Sequence, residues 1–265
     1  MSRIIVVTSG KGGVGKTTVT SNLGAALARS GCTVALVDAD FGLRNLDLLL
    51  GLEERVVYTA LDVLAGECRL AQALVKDKRL KGLVLLPAAQ NRSKESVQPE
   101  QMKKIVDALA KGYDYIIVDC PAGIEMGFRN AIAAAKEALI VTTPEVAAVR
   151  DADRVIGLLE AEGIDNINLI VNRLKPGMVQ DNKMMSVEDV LELLGVSLIG
   201  VVPDDERVIV ATNKGEPLVL YEDSSLPAIA FTNIARRLQG EKVPFLDFMA
   251  AHDNLLTRIR RMFGG

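Results

Sequence analysis

The sequence contains no tryptophan and a single histidine, His252, and its aromatic side chains amount to only 4% of the chain. One histidine excludes a multi-histidine metal centre. Cysteine is nearly as sparse: Cys32, Cys68 and Cys120 are widely spaced, form no CxxC pair and cannot all pair within one chain. That usage is expected of a reduced, cytoplasmic protein. No apolar run reaches the roughly 18 residues a membrane-spanning helix requires. The opening residues MSRIIVVTSG lack a basic region followed by an apolar stretch of signal length, so export is not expected. Any membrane contact is then peripheral. Basic charge is not in excess either, since 31 lysines and arginines face 34 acidic residues for a net charge of −3. Such a balance argues against binding nucleic acid through the field of the whole body, and no nucleic-acid partner is expected.

What the chain has in quantity is aliphatic side chain: 49% of its 265 residues are hydrophobic, ample for a buried core. Runs rich in Val, Ile and Leu recur at Ile4–Val7, Val34–Val37, Leu83–Leu86, Tyr115–Val118, Leu139–Thr142, Ile167–Val171 and Leu198–Val202. Segments with helical spacing lie between most of them, such as Thr17–Arg29, Gln101–Ala110, Arg150–Glu162 and Val187–Leu194. The alternation predicts an α/β fold, doubly wound, with a mostly parallel sheet between helices on both faces. No Pro/Ser/Gly-rich linker interrupts the series. Residues 1–240 therefore read as one domain, 241–254 as a tether and 255–265 as a separate amphipathic helix.

The segment Gly10-Lys11-Gly12-Gly13-Val14-Gly15-Lys16-Thr17-Thr18 contains G-x-x-x-x-G-K-T between a strand-like run and a helical one, the context of a phosphate-binding loop. Its glycines leave backbone N–H groups open to phosphate oxygens. Lys16 supplies positive charge to the β- and γ-phosphates, and Thr17 offers a hydroxyl to Mg²⁺ at a helix N-terminus. Two strand-like runs end in aspartate, at Asp38-Ala39-Asp40 and at Asp119. Ligands of such sheets collect beyond the carboxyl ends of the strands, which makes Asp119 the candidate carboxylate for Mg²⁺. Asp38 and Asp40 read either as a first switch at the same site or as a strand-end turn. Gly123 gives a second switch loop its freedom. With no side chain placed as a strong general base, slow hydrolysis is expected, the rate of a timer.

The last residues, LLTRIRRMFGG, carry the other pattern. With Leu255 at zero on a helical wheel, Leu256, Ile259, Met262 and Phe263 fall within an arc of about 120°, and Arg258, Arg260 and Arg261 lie outside it. From His252 onward three arginines face one aspartate, +2, so the rest of the chain holds −5. A basic amphipathic helix can lie in an anionic membrane surface or pack against its own domain.

The strings SGKGGVGKTT, VDADFGLRNLDLLLG, RVVYTALDVLAG, QALVKDKR, DCPAGIE and TTPEVAAVRDADR, with the basic C-terminal helix, span essentially the whole chain. Together they resemble the MinD/ParA family of ATPases with a deviant Walker A loop. The resemblance implies an ATP-dependent homodimer with Mg²⁺, in which Lys11 reaches the partner's ATP and Glu145 touches nucleotide across the interface. It implies Asp38 near Mg²⁺, Asp40 placing the attacking water, and adenine held at Asn172, Arg173, Pro203, Asp204 and Asp205. It also implies a role in division-site placement on the inner membrane, with Arg150, Asp151 and Asp153 facing a MinC-like inhibitor and a MinE-like activator of hydrolysis. A ParA-type DNA-segregation ATPase shares the loop and the dimer but needs a basic DNA-binding surface. An electron-transfer or metal-carrier relative needs converging cysteines.

Overall fold

Each aliphatic run becomes a strand, because β-branched side chains favour extended backbone and a strand covered on both faces needs no polar alternation. In the computed structural model, which describes residues 2–89 and 97–248, the strands are β1 (Arg3–Thr8), β2 (Val34–Asp38), β3 (Val75–Lys76), β4 (Leu83–Leu86), β5 (Tyr115–Asp119), β6 (Glu137–Thr142), β7 (Asn166–Leu174) and β8 (Ser197–Pro203). They form one sheet in the order β3-β4-β2-β5-β1-β6-β7-β8. All pairings are parallel except β3 with β4. The expected tail helix, Leu255–Phe263, lies outside the described residues.

Successive side chains of a strand enter opposite layers. Ile4 and Val6 of β1 belong to one apolar cluster, with Ile105, Phe128, Val155 and Val190 from helices Pro99–Leu109, Met126–Ile132, Val146–Ala161 and Val187–Leu194. Ile5 and Val7 belong to the other, with Val19, Leu23, Phe231 and Ile234 from helices Lys16–Arg29 and Leu226–Leu238. These are the three expected layers, wound on both faces. Two details differ from the expectation. Strand β3 escapes periodicity because two residues carry no pattern. The helix expected from Arg150 starts four residues earlier, at Val146, where the first turn, VAAV, is apolar throughout and shows no helical alternation in sequence.

Past Leu238 the chain turns at Gly240, and residues 241–248, within the expected tether, lie against the domain. Arg237 donates to the carbonyls of Val243 (3.0 Å) and Pro244 (2.9 Å) and stacks 4.1 Å from the ring centre of Phe245, while Phe248 is buried. Because the long strands share one direction, the ends of β1, β2, β5, β7 and β8 open on the same rim. Residues 10–18, Asp38, Asp40, Asp119, Asn172, Arg173, Pro203, Asp204 and Asp205 lie on that rim, and Arg150, Asp151 and Asp153 lie on the helix that follows β6.

Candidate functional site

Strand β1 gives way to a loop of seven residues before the helix Lys16–Arg29 begins. Gly15 has a φ of 100°, where a side chain is strained, and a Cβ there would stand 2.4 Å from Nδ2 of Asn172. That amide donates to the carbonyl of Val14 at 2.7 Å, so the end of β7 holds the loop from the side. Gly10 is required by space: a Cβ would lie 2.1 Å from the carbonyl oxygen of Asp151. Lys16 is buried, and its Nζ donates to Ser9 Oγ at 3.0 Å. A buried lysine above the free N–H groups of a helix's first turn makes a site for an anion.

Asp38 and Asp119 stand side by side in register on β2 and β5, 1% and 2% exposed. Asp38 accepts from the backbone N–H groups of Asp40 (2.9 Å) and Leu46 (3.3 Å). Asp119 accepts from Thr20 Oγ1 at 3.1 Å. Burial pushes the Asp38 carboxyl up to about 8, with the Asp119 charge adding to it. Burial also raises Asp119, to about 6, against the downward pull of hydrogen bonds from Thr17 and Thr20 and the charge of Lys16. Two buried carboxylates whose charge costs so much, next to the Thr17 hydroxyl, fit a divalent cation. Neighbouring Cys120 is 1% exposed, and burial raises its thiol to about 12, so it stays protonated at neutral pH.

Beside the loop a cavity of about 170 Å³ is lined by Asn172, Arg173, Pro203, Asp204 and Asp205 together with Gly15, Thr18, Val208 and Ile209. The five residues expected around a base thus converge. The carboxylate of Asp205 is already engaged, accepting from the backbone N–H and Nε of Arg207 at 2.9 and 2.8 Å. Its side chain acts as the cap of helix Glu206–Asn213, and that helix brings Val208 and Ile209 to the cavity wall. Sequence reasoning missed those two and Thr20, and gave no role to Ser9 at the start of the loop string. The helix position of Thr20, one turn after Lys16, could have pointed to it. A larger cavity of about 770 Å³ adjoins this one, sharing Arg173 and Asp204.

Lys11 lies outside the buried site. Its Nζ is 3.7 Å from Glu145 Oε2 of the same chain, and both side chains are about half exposed, so the pair is weak. Helix Val146–Ala161 follows directly, with Arg150 and Asp153 exposed three residues apart and Asp151 half-buried against Gly10. Leu43 and Ile124, in the loops that follow β2 and β5, and Met126 and Val146, the first residues of the helices that follow β5 and β6, are 61%, 49%, 40% and 59% exposed. No sequence pattern had marked this apolar fringe.

Comparison with known proteins follows the same lines. A family model described as ParA, NUBPL iron-transfer P-loop NTPase, matches residues 1–239. The septum site-determining protein MinD of Synechocystis sp. is 71% identical over 266 residues, covering all of both chains. Among solved structures, the MinC:MinD cell division protein complex of Aquifex aeolicus superposes with a TM-score of 0.87 at 48% identity, over 93% of this chain and 99% of that one. The septum site-determining protein MinD of Pyrococcus horikoshii OT3, complexed with Mg-ADP, superposes with a TM-score of 0.82 at 34% identity, over 90% and 96% of the two chains.

Proposed function

The chain belongs to the ParA family of P-loop NTPases, among its septum site-determining MinD proteins, and from that membership we propose that it is an ATP-dependent switch acting in division-site placement. The observation that carries the reading is the buried Asp38/Asp119 pair facing Lys16 beneath a side-chain-free loop, with a base-sized cavity alongside. ATP and Mg²⁺ are the cofactors this geometry suits, as in the Mg-ADP complex of the Pyrococcus relative. Thr17, Asp38 and Asp119 would hold the cation, which supplies charge neutralisation to the phosphates.

The protein's own groups do the rest. Lys16 and the first-turn N–H groups bind phosphate oxygens, and Asn172 keeps the loop in register with the base cavity. Asp40 orients the attacking water. Lys11 and Glu145, exposed at the rim, exchange their weak mutual contact for one with nucleotide in a second copy. Exposed Leu43, Ile124, Met126 and Val146 would be covered when two copies meet face to face, which accounts for apolar surface of that size around a polar site. Hydrolysis then separates the dimer. Turnover is slow and open to stimulation by a MinE-like partner. A MinC-like inhibitor, as in the Aquifex complex, would bind the face carrying Arg150, Asp151 and Asp153. The basic segment from Leu255 to Phe263, expected from its sequence to be an amphipathic helix, would anchor the dimer to an anionic inner membrane. The iron transfer in the family description is not carried over, since the chain has no CxxC pair and Cys120 is buried.

Light scattering in Mg-ATP and Mg-ADP tests the switch. A dimer in Mg-ATP alone is expected, with Lys16→Ala losing ATP binding and Lys11→Ala keeping it but staying monomeric. A monomer in both nucleotides contradicts the reading, and a normal ATP dimer of Lys11→Ala removes the role of that lysine.

A further inference from the structure

We propose that Ser9 is a positioning residue that transmits the position of Lys16 to the main chain at Lys11, and so ties the phosphate site to the rim. Its side chain is fully buried at the end of β1. It stands between two partners: Lys16 Nζ at 3.0 Å and the carbonyl of Lys11 at 2.7 Å. The direction of both bonds is fixed by chemistry. A lysine ammonium only donates, so Ser9 Oγ accepts from it, and the single hydroxyl proton is left for the carbonyl of Lys11.

What surrounds this bond makes it mechanical. Gly10 is seated on the backbone of Asp151, where not even a methyl group fits, so the loop cannot yield at that residue. Gly12 and Gly13 are exposed, with no side chain to hold them. The adjustable part of the loop therefore begins at Lys11, and the Ser9 hydroxyl grips it there. When the ammonium of Lys16 shifts toward an anion, the bond to Ser9 lengthens or turns, and a fully buried hydroxyl can only compensate through its other bond. The carbonyl of Lys11 moves, and the side chain that follows is the one paired with Glu145. The consequence for dimerisation rests on the function proposed above, whereas the link from Lys16 to Lys11 does not.

The test is Ser9→Ala in the full chain, read three ways. Mg-ADP affinity should stay within about threefold of the unaltered protein, since with nucleotide bound the phosphate oxygens accept from the Lys16 ammonium in place of the Ser9 hydroxyl. Amide hydrogen exchange across residues 10–13 should change when Mg-ADP binds the unaltered protein and should not change in Ser9→Ala. The Mg-ATP dimer should weaken at least tenfold. Equal exchange responses in the two proteins, or no response in either, overturn the proposal. A loss of nucleotide affinity as large as that of Lys16→Ala overturns it too, because the hydroxyl would then serve the phosphate site itself. If the unaltered protein shows the exchange response yet never dimerises, the dimer reading fails and the Ser9 link stands.

Discussion

Asp38 and Asp119 show at the scale of single residues what the site gives up for its function. The folded carboxyl of Asp38 is raised by burial to about 8, against about 3.9 in an unfolded chain. Between those values the folded protein binds more protons than the unfolded one, so this residue's contribution to stability is lost as pH rises through that window. Asp38→Asn should therefore unfold at a higher temperature than the unaltered protein at pH 8 without nucleotide or Mg²⁺, and the gap should shrink toward pH 5. Its Mg²⁺-dependent hydrolysis should fall at least tenfold. Thermal unfolding at the two pH values checks the sign, and a gap that widens toward pH 5 contradicts it. Asp40→Ala should bind ATP and dimerise but hydrolyse it poorly, which steady-state turnover checks. Both aspartates were legible because an apolar strand ending in a carboxylate is visible in sequence, and so was the loop. The roles of Ser9 and Thr20 were not, because a hydroxyl's partner is decided by which strand and helix lie across from it.

At the scale of elements, the site depends on two helical layers pressed onto one sheet. The helix Leu226–Leu238 is remote from the phosphate loop in sequence, yet its Phe231 is fully buried in the cluster that holds Val19 and Leu23 of the helix beginning at Lys16. Phe231→Ala should destabilise the domain by about 3–5 kcal/mol, because a large cavity opens between layers. Urea unfolding measures this, and a loss below about 1 kcal/mol, within the range of a surface substitution, would mean the helix is not anchored there. Seven strands could be read in advance because each is buried on both faces and so uniformly aliphatic. The wall formed by Val208 and Ile209 could not, because Ile209 is 64% exposed and only the turn after β8 directs it to the cavity.

On the scale of the whole molecule, charge and chain order divide the labour. The body carries −5 and the segment from His252 carries +2, so an anionic surface attracts the end and repels the rest. On the function proposed above, one short basic amphipathic segment would bind a membrane weakly, but a dimer would present two, and the second would bind at a high effective concentration. In the function proposed above, ATP would control membrane binding through copy number alone. The direct test is co-sedimentation with anionic liposomes in Mg-ATP and in Mg-ADP, beside a truncation ending at Asp253. The full chain should pellet mainly in Mg-ATP, and the truncation in neither nucleotide. Pelleting that ignores the nucleotide or survives the truncation would contradict an ATP-controlled membrane switch.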